Sequence, residues 1–165
     1  MSNSVKELFK SNWIKVQKLS FALKKSIKYI NEHEELKNFI IHDVENPEKI
    51  ESMESDEQLH WDGLRIRFQD LQDYLEKNIL RTILILEKEH PSSRLNTWEA
   101  MEKRGIFEVL KWQKLRGIRN FFSHEYPEDE EDIFFNLNQA LNDSEYLLET
   151  VDRVQEYIQR KGLLQ

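Results

Sequence analysis

The chain has 165 residues, of which 39% are hydrophobic, 33% charged and none cysteine. That length fits one domain with enough apolar side chains for a core, and the lack of cysteine excludes disulfides and thiolate metal sites. No apolar run approaches bilayer-spanning length, and the opening MSNSVKELFK has no apolar stretch behind a basic flank; the expectation is a single cytoplasmic domain over residues 1–165 with no secretory leader and no membrane partner.

The formal net charge of -7 argues against broad electrostatic binding to nucleic acid. It leaves room for a local basic site, because salt screens charges over about 10 Å. The charge is uneven. Glu45 to Glu57 and Glu125 to Asp132 carry dense negative runs, while Arg104, Lys111, Lys114, Arg116 and Arg119 make the stretch between them basic. The acidic runs read as solvated faces or loops.

With only 4 glycines and 3 prolines and no strand-like alternation, the chain reads as helical throughout. Val5, Leu8, Phe9, Trp13, Val16, Ser20, Leu23, Ile27 and Ile30 form the first stripe, on one long helix or on two joined near Ser11-Asn12, where a cap is possible. From Glu34 to Ser55 the rhythm is lost, and Asn46-Pro47 marks a turn or a short helix start. The second stripe is Trp61, Leu64, Phe68, Leu71, Leu75, Ile79, Thr82 and Leu86, ended by Pro91. A short helix follows over Thr97 to Lys103, capped by Asn96 or Thr97 and stopped by Gly105. The fourth helix covers Phe107 to Ser123. A fifth begins near Pro127-Glu128 and runs to Arg160, with Phe134, Leu137, Leu141, Ser144, Leu148, Val151, Val154 and Ile158 on its stripe. Four long amphipathic helices and one short one predict an all-α, up-and-down bundle.

The helix from Phe107 carries the candidate chemistry. Phe107, Leu115, Ile118, Phe121 and Phe122 share its core side. Arg116, Asn120 and His124 stand at i, i+4 and i+8, so they form a row elsewhere on the wheel, with Arg119 and Ser123 beside it. Arg119 and His124 are five residues apart, about 140° of rotation on an ideal helix. They converge if the helix unwinds after Ser123, which Pro127 encourages, or if they meet a second copy across a two-fold axis. Either route gives a cationic pocket with a base in it. An imidazole can take the proton of an RNA 2′-hydroxyl or protonate the leaving oxygen. A guanidinium can hold the phosphate as charge develops, and Asn120 and Ser123 can donate hydrogen bonds. That set suits RNA cleavage to a 2′,3′-cyclic phosphate with no metal and no cofactor. The Arg-x4-His spacing alone is close to what chance supplies in a chain with 9 arginines and 5 histidines. The plain alternative is a surface arginine and a helix-end histidine facing C-terminal carbonyls.

The longer run Leu115-Arg116-Gly117-Ile118-Arg119-Asn120-Phe121-Phe122-Ser123-His124-Glu125-Tyr126 resembles the signature of the HEPN superfamily, and its Arg-Asn-x3-His-x-Tyr core resembles the HepT-like toxin and nucleotidyltransferase substrate-binding branch. Leu64 to Ile85 is similar to the second helix of that branch. The resemblance implies a HEPN-like bundle forming a homodimer or higher oligomer and acting as a metal-independent RNase toxin. Arg119 and His124 match the catalytic pair, and Asn120 the polar residue that often follows the arginine. Tyr126 matches a tyrosine that a cognate minimal nucleotidyltransferase antitoxin modifies with AMP. The alternative is a non-catalytic nucleotide- or partner-binding subunit of such a nucleotidyltransferase. A third reading is a helical oligomerisation domain.

His33, His42, His60 and His90 are scattered without metal-ligand spacing and read as surface or helix-end residues. Asp70 and Asp73 lie beside the second stripe, either as a solvated face or as a carboxylate orienting Arg119 or His124. Trp13 and Trp61 fit packing positions. Trp112 is assigned to the polar side of the fourth helix, as a dimer or RNA contact.

Overall fold

The structure, a computed structural model, describes residues 2–36, 55–123 and 130–165. Helix α1 spans Ser2–Glu32, α2 Ser55–Leu75, α3 Arg81–Leu86, α4 Arg94–Lys103, α5 Val109–Ser123 and α6 Glu130–Lys161; a π-helical turn, Glu76–Leu80, joins α2 to α3 without a break. Among the described residues there is no strand.

The bundle is up-and-down, as cross-contacts show. Asn12 of α1 meets Tyr74 of α2, while Tyr29 further along α1 stacks on His60 earlier in α2. Ser123 meets Gln69 and Arg116 meets Glu76, so α5 runs antiparallel to α2. Lys114 pairs with Asp143 and Tyr146 accepts from the Glu108 amide, which reverses α6 against α5. Lys6 reaches the Gln165 carbonyl and Trp13 reaches Gln155, closing α6 antiparallel onto α1. Around the bundle the order is therefore α1, α2, α5, α6.

The first stripe holds α1 as one helix. Phe9, Trp13, Val16, Leu23 and Ile30 are buried. The suspected break at Asn12 is absent because that side chain is buried and accepts from the Tyr74 hydroxyl at 2.8 Å, a tertiary use rather than a cap. Leu8, assigned to the stripe, is exposed; Phe9, one residue or about 100° on, takes the core position. The stretch around Asn46-Pro47 and His42 lies outside the described residues.

The second stripe follows its 3,4 rhythm through Trp61, Leu64, Phe68, Leu71, Leu75 and Ile79, all buried. Each is worth about 1.5–3 kcal/mol of burial. Beyond the π-helical turn the stripe moves by one residue. Leu80, Ile83 and Leu84 are buried, whereas Thr82 and Leu86 are only partly so. A π turn inserts one residue into the helix and so displaces every later core position. The helix also stops before Pro91. Its last turn closes where Lys88 N–H bonds the Ile85 carbonyl and Glu89 N–H bonds Leu84, with Lys88 at φ 63.

Helix α4 starts three residues earlier than its expected Thr97. Ser93, not Asn96 or Thr97, is the cap: its hydroxyl accepts from the Asn96 amide at 3.1 Å. At the other end Gly105 N–H bonds the Glu102 carbonyl and Ile106 N–H bonds Met101, with Gly105 at φ 71. A Cβ there would meet nothing within 4 Å, so the left-handed backbone is the sole objection to a side chain. Gly105→Ala is expected to cost about 1 kcal/mol, where an ordinary Gly→Ala change stabilises. A urea midpoint at or above that of the wild type overturns this.

On α6 the expected core positions Leu141 and Leu148 are half-buried, and Ala140 and Leu147 are buried in their place. Helix α6 packs against α1, α2 and α5, and the positions one residue before the expected pair face that interior. Phe134 lies among residues whose side chains are outside the described set.

Candidate functional site

Helix α5 lies between α2 and α6, so both its flanks are covered. Arg116 and Arg119 therefore meet the carboxylates of the facing helix rather than open solvent. Leu115, Ile118 and Phe122 take the core side, with Phe121 packed against its edge. Arg119 stands on the last turn, 21% exposed, and its Nη2 donates to the Asp73 carboxylate of α2. Nη1 donates to Asn120 Oδ1 at 3.3 Å. Its Nε is buried with no acceptor among the described residues. The hydrogen bond to Asp73 raises the Arg119 pKa above that of an ordinary guanidinium, against the opposing effect of partial burial. Asp73 is the carboxylate that meets the arginine; Asp70 is exposed.

One turn back, Arg116 Nη1 donates to Glu76 Oε2 at 2.9 Å. The other oxygen of Glu76 lies 3.0 Å from Nε of Arg94, at the start of α4. Lys77 lies 3.7 Å from Asp73. Two carboxylates, Asp73 and Glu76, thus sit inside a layer of four cations, Lys77, Arg94, Arg116 and Arg119. The acids hold the guanidiniums in place, and the layer stays net positive in an acidic chain.

Ser123 is held through its hydroxyl, which accepts from Gln69 Nε2 at 3.0 Å and donates to the Arg119 carbonyl at 3.0 Å. In this arrangement its donor is spent on the helix end. Asn120 keeps its amide nitrogen unengaged among the described residues. His124 and Tyr126, the expected base and the expected modification site, lie outside the described residues.

Trp112 corrects an expectation. It is fully buried, stacked on Phe107 at 4.6 Å, with its indole N–H 3.4 Å from Glu76. It belongs to the core because α5 begins only at Val109, so Phe107 sits on the connection and folds back over the helix. It offers no surface to a second copy or to RNA. Trp13 and Trp61 are buried as expected. His33 and His60 both stack on the Tyr29 ring, at 3.9 and 3.8 Å. Among the described residues no group of three His, Asp or Glu side chains is placed to hold a metal ion.

Glu76, Gln69 and Arg94 were not singled out by sequence. Gln69, Asp73 and Glu76 do stand at steps of four and three beside the second stripe, which is the pattern of a helix flank turned toward a neighbour. No helix of the described residues is long and apolar enough to cross a membrane. No protein-family model, curated protein or solved structure matches the chain.

Proposed function

We propose that the chain is a metal-independent endoribonuclease of the HEPN type, a toxin silenced by a minimal nucleotidyltransferase that modifies Tyr126. The observation that carries this reading is the setting of Arg119. It is a guanidinium fixed by Asp73 and Asn120 on the last helical turn before His124, inside a net positive layer. A fixed cation next to a base is what transesterification at a phosphodiester needs: charge stabilisation without metal and a proton acceptor near neutral pKa. In a homodimer or higher oligomer two such half-sites face each other, and each RNA strand meets both.

The test is cleavage of a defined RNA by the purified chain in excess chelator. The expected product ends are 2′,3′-cyclic phosphate and 5′-hydroxyl. RNA left intact by a folded, concentrated preparation sinks the reading. A second reading, a non-catalytic subunit of the nucleotidyltransferase, is favoured by one feature: Asp73 and Glu76 already occupy the guanidiniums of Arg119 and Arg116. It predicts a stable complex with the partner and no cleavage.

A further inference from the structure

Beside Glu76 a cleft of about 380 Å³ opens between the π-helical turn and the start of α4. Its charged lining is three cations, Lys77, Arg81 and Arg94, against the single carboxylate Glu76. Glu76 is already committed to Arg116, Arg94 and the Trp112 indole. Arg81 is exposed and has no ion-pair or hydrogen-bond partner among the described residues. A surplus of cations around a concavity is unexpected in a chain of net charge -7.

The start of a helix and a buried tryptophan lie at the same cleft. Helix α4 begins there. Ser93 satisfies the Asn96 amide, the first turn carries no acidic side chain, and the amides of Arg94 and Leu95 have no partner within the helix. Trp98 lines the cleft and is only 7% exposed, yet its indole N–H finds no acceptor among the described residues. The Trp98 ring is therefore placed to report on whatever occupies the cleft. The surplus cations and the free amides of the helix start favour a small anion rich in acceptor oxygens. A carboxylate offers two such oxygens. A phosphate offers more, spread tetrahedrally, and suits guanidinium forks and helix-start amides together.

We propose that this cleft is a phosphate-binding site, distinct from Arg119, that seats the phosphate group of a nucleotide. That the phosphate belongs to an RNA strand, held next to the one at Arg119, rests on the function proposed above; a free mononucleotide is the other source.

The test is titration of the full, isotopically labelled chain followed by ¹H–¹⁵N spectroscopy, with Trp98→Phe identifying the Trp98 indole signal. The probes are inorganic phosphate, AMP and an uncleavable 2′-O-methyl hexanucleotide, each at fixed ionic strength with chloride as control. The expected result is a saturable shift of the Trp98 indole and of the Arg94 and Leu95 amides with phosphate, and at least fivefold weaker binding in Arg81→Gln. Arg81 has no partner to lose, so the variant is expected to melt with the wild type. Tighter binding of the hexanucleotide than of AMP supports the strand as source. Tighter binding of AMP supports the site and overturns the strand. The site itself is overturned if none of the three probes saturates, or if Arg81→Gln binds as the wild type does. Loss of RNA cleavage with phosphate binding intact sinks the nuclease reading alone.

Discussion

Arg119→Ala is expected to cleave RNA at least about a hundredfold more slowly than the wild type, with helix content unchanged. The size follows from the task proposed for the residue. Removing one preorganised donor from a developing oxyanion typically costs a factor of about 10² to 10³ in rate. The fold should tolerate the change, because Asp73 is not left alone: Lys77 stands 3.7 Å from it and can move closer. Asp73→Asn keeps a side chain of the same shape but gives up the charge that holds the guanidinium. It is expected to cost roughly tenfold, since a misplaced group loses rate without being lost itself. In the Arg119→Ala background the Asp73 change should add nothing, because it acts only through the arginine. His124→Ala should fall as far as Arg119→Ala. Full-rate cleavage by Arg119→Ala would falsify the role assigned to the residue and reduce Arg119 to the partner of Asp73.

Much of this site is legible in the sequence itself. The 3,4 rhythm from Trp61 to Ile79 identified the helix and its buried face, because a helix can bury only one stripe and the sequence must supply it. The wheel of the Arg119 helix separated Leu115, Ile118 and Phe122 from Arg116 and Asn120, and the structure keeps that division. What escaped was what lies opposite. Whether Asp70 or Asp73 meets Arg119 depends on how α2 and α5 are rotated against each other, a long-range property that no local spacing encodes. The π-helical turn was equally hidden. Ile79-Leu80 and Ile83-Leu84 are adjacent apolar pairs, and a pair fits the stripe in either of two registers. Trp112 went astray for a related reason. A wheel drawn from Phe107 assumes a helix that does not yet exist there, and the folded-back Phe107 ring covers the position that looked open.

A second charged cluster, interleaved in sequence with the first, ties the ends of three helices. Arg104, just past α4, donates through Nε and Nη2 to one oxygen of Glu87 at 2.9 and 2.8 Å. The Tyr157 hydroxyl of α6 donates to the other oxygen, and Arg104 also holds the Ala100 carbonyl at 2.9 Å. The ends of α3, α4 and α6 are thereby tied at one point. The side chains of Arg104 and Glu87 are only 14% and 17% exposed, so deleting the guanidinium leaves a carboxylate with little water to replace it. Arg104→Ala is expected to cost about 3 kcal/mol, the lower end of the range for a broken buried pair, or roughly 6 to 12 °C in melting temperature. Burial alone would push the Glu87 carboxyl up. The hydrogen bonds from Tyr157 and Arg104 outweigh it and hold the pKa below its ordinary value of 4.5. A carboxylate with a lowered folded-state pKa contributes stability that is fully present above pH 4.5 and is lost as the pH falls through the folded value. Tyr157 titrates the opposite way: burial first, and its bond to Glu87 second, raise it above its ordinary 10.0, so its contribution is present below pH 10.0 and lost as the pH rises beyond it. The wild type should therefore hold a stability plateau between these limits and fall on both sides. Glu87→Gln should lie below the wild type on the plateau and flatten the acid limb, while Tyr157→Phe should flatten the alkaline limb and, by removing a hydrogen bond that holds Glu87 down, soften the acid limb as well. Denaturant melts from pH 3 to 11 read both limbs, and an acid limb unchanged in Glu87→Gln shows that other carboxylates set it.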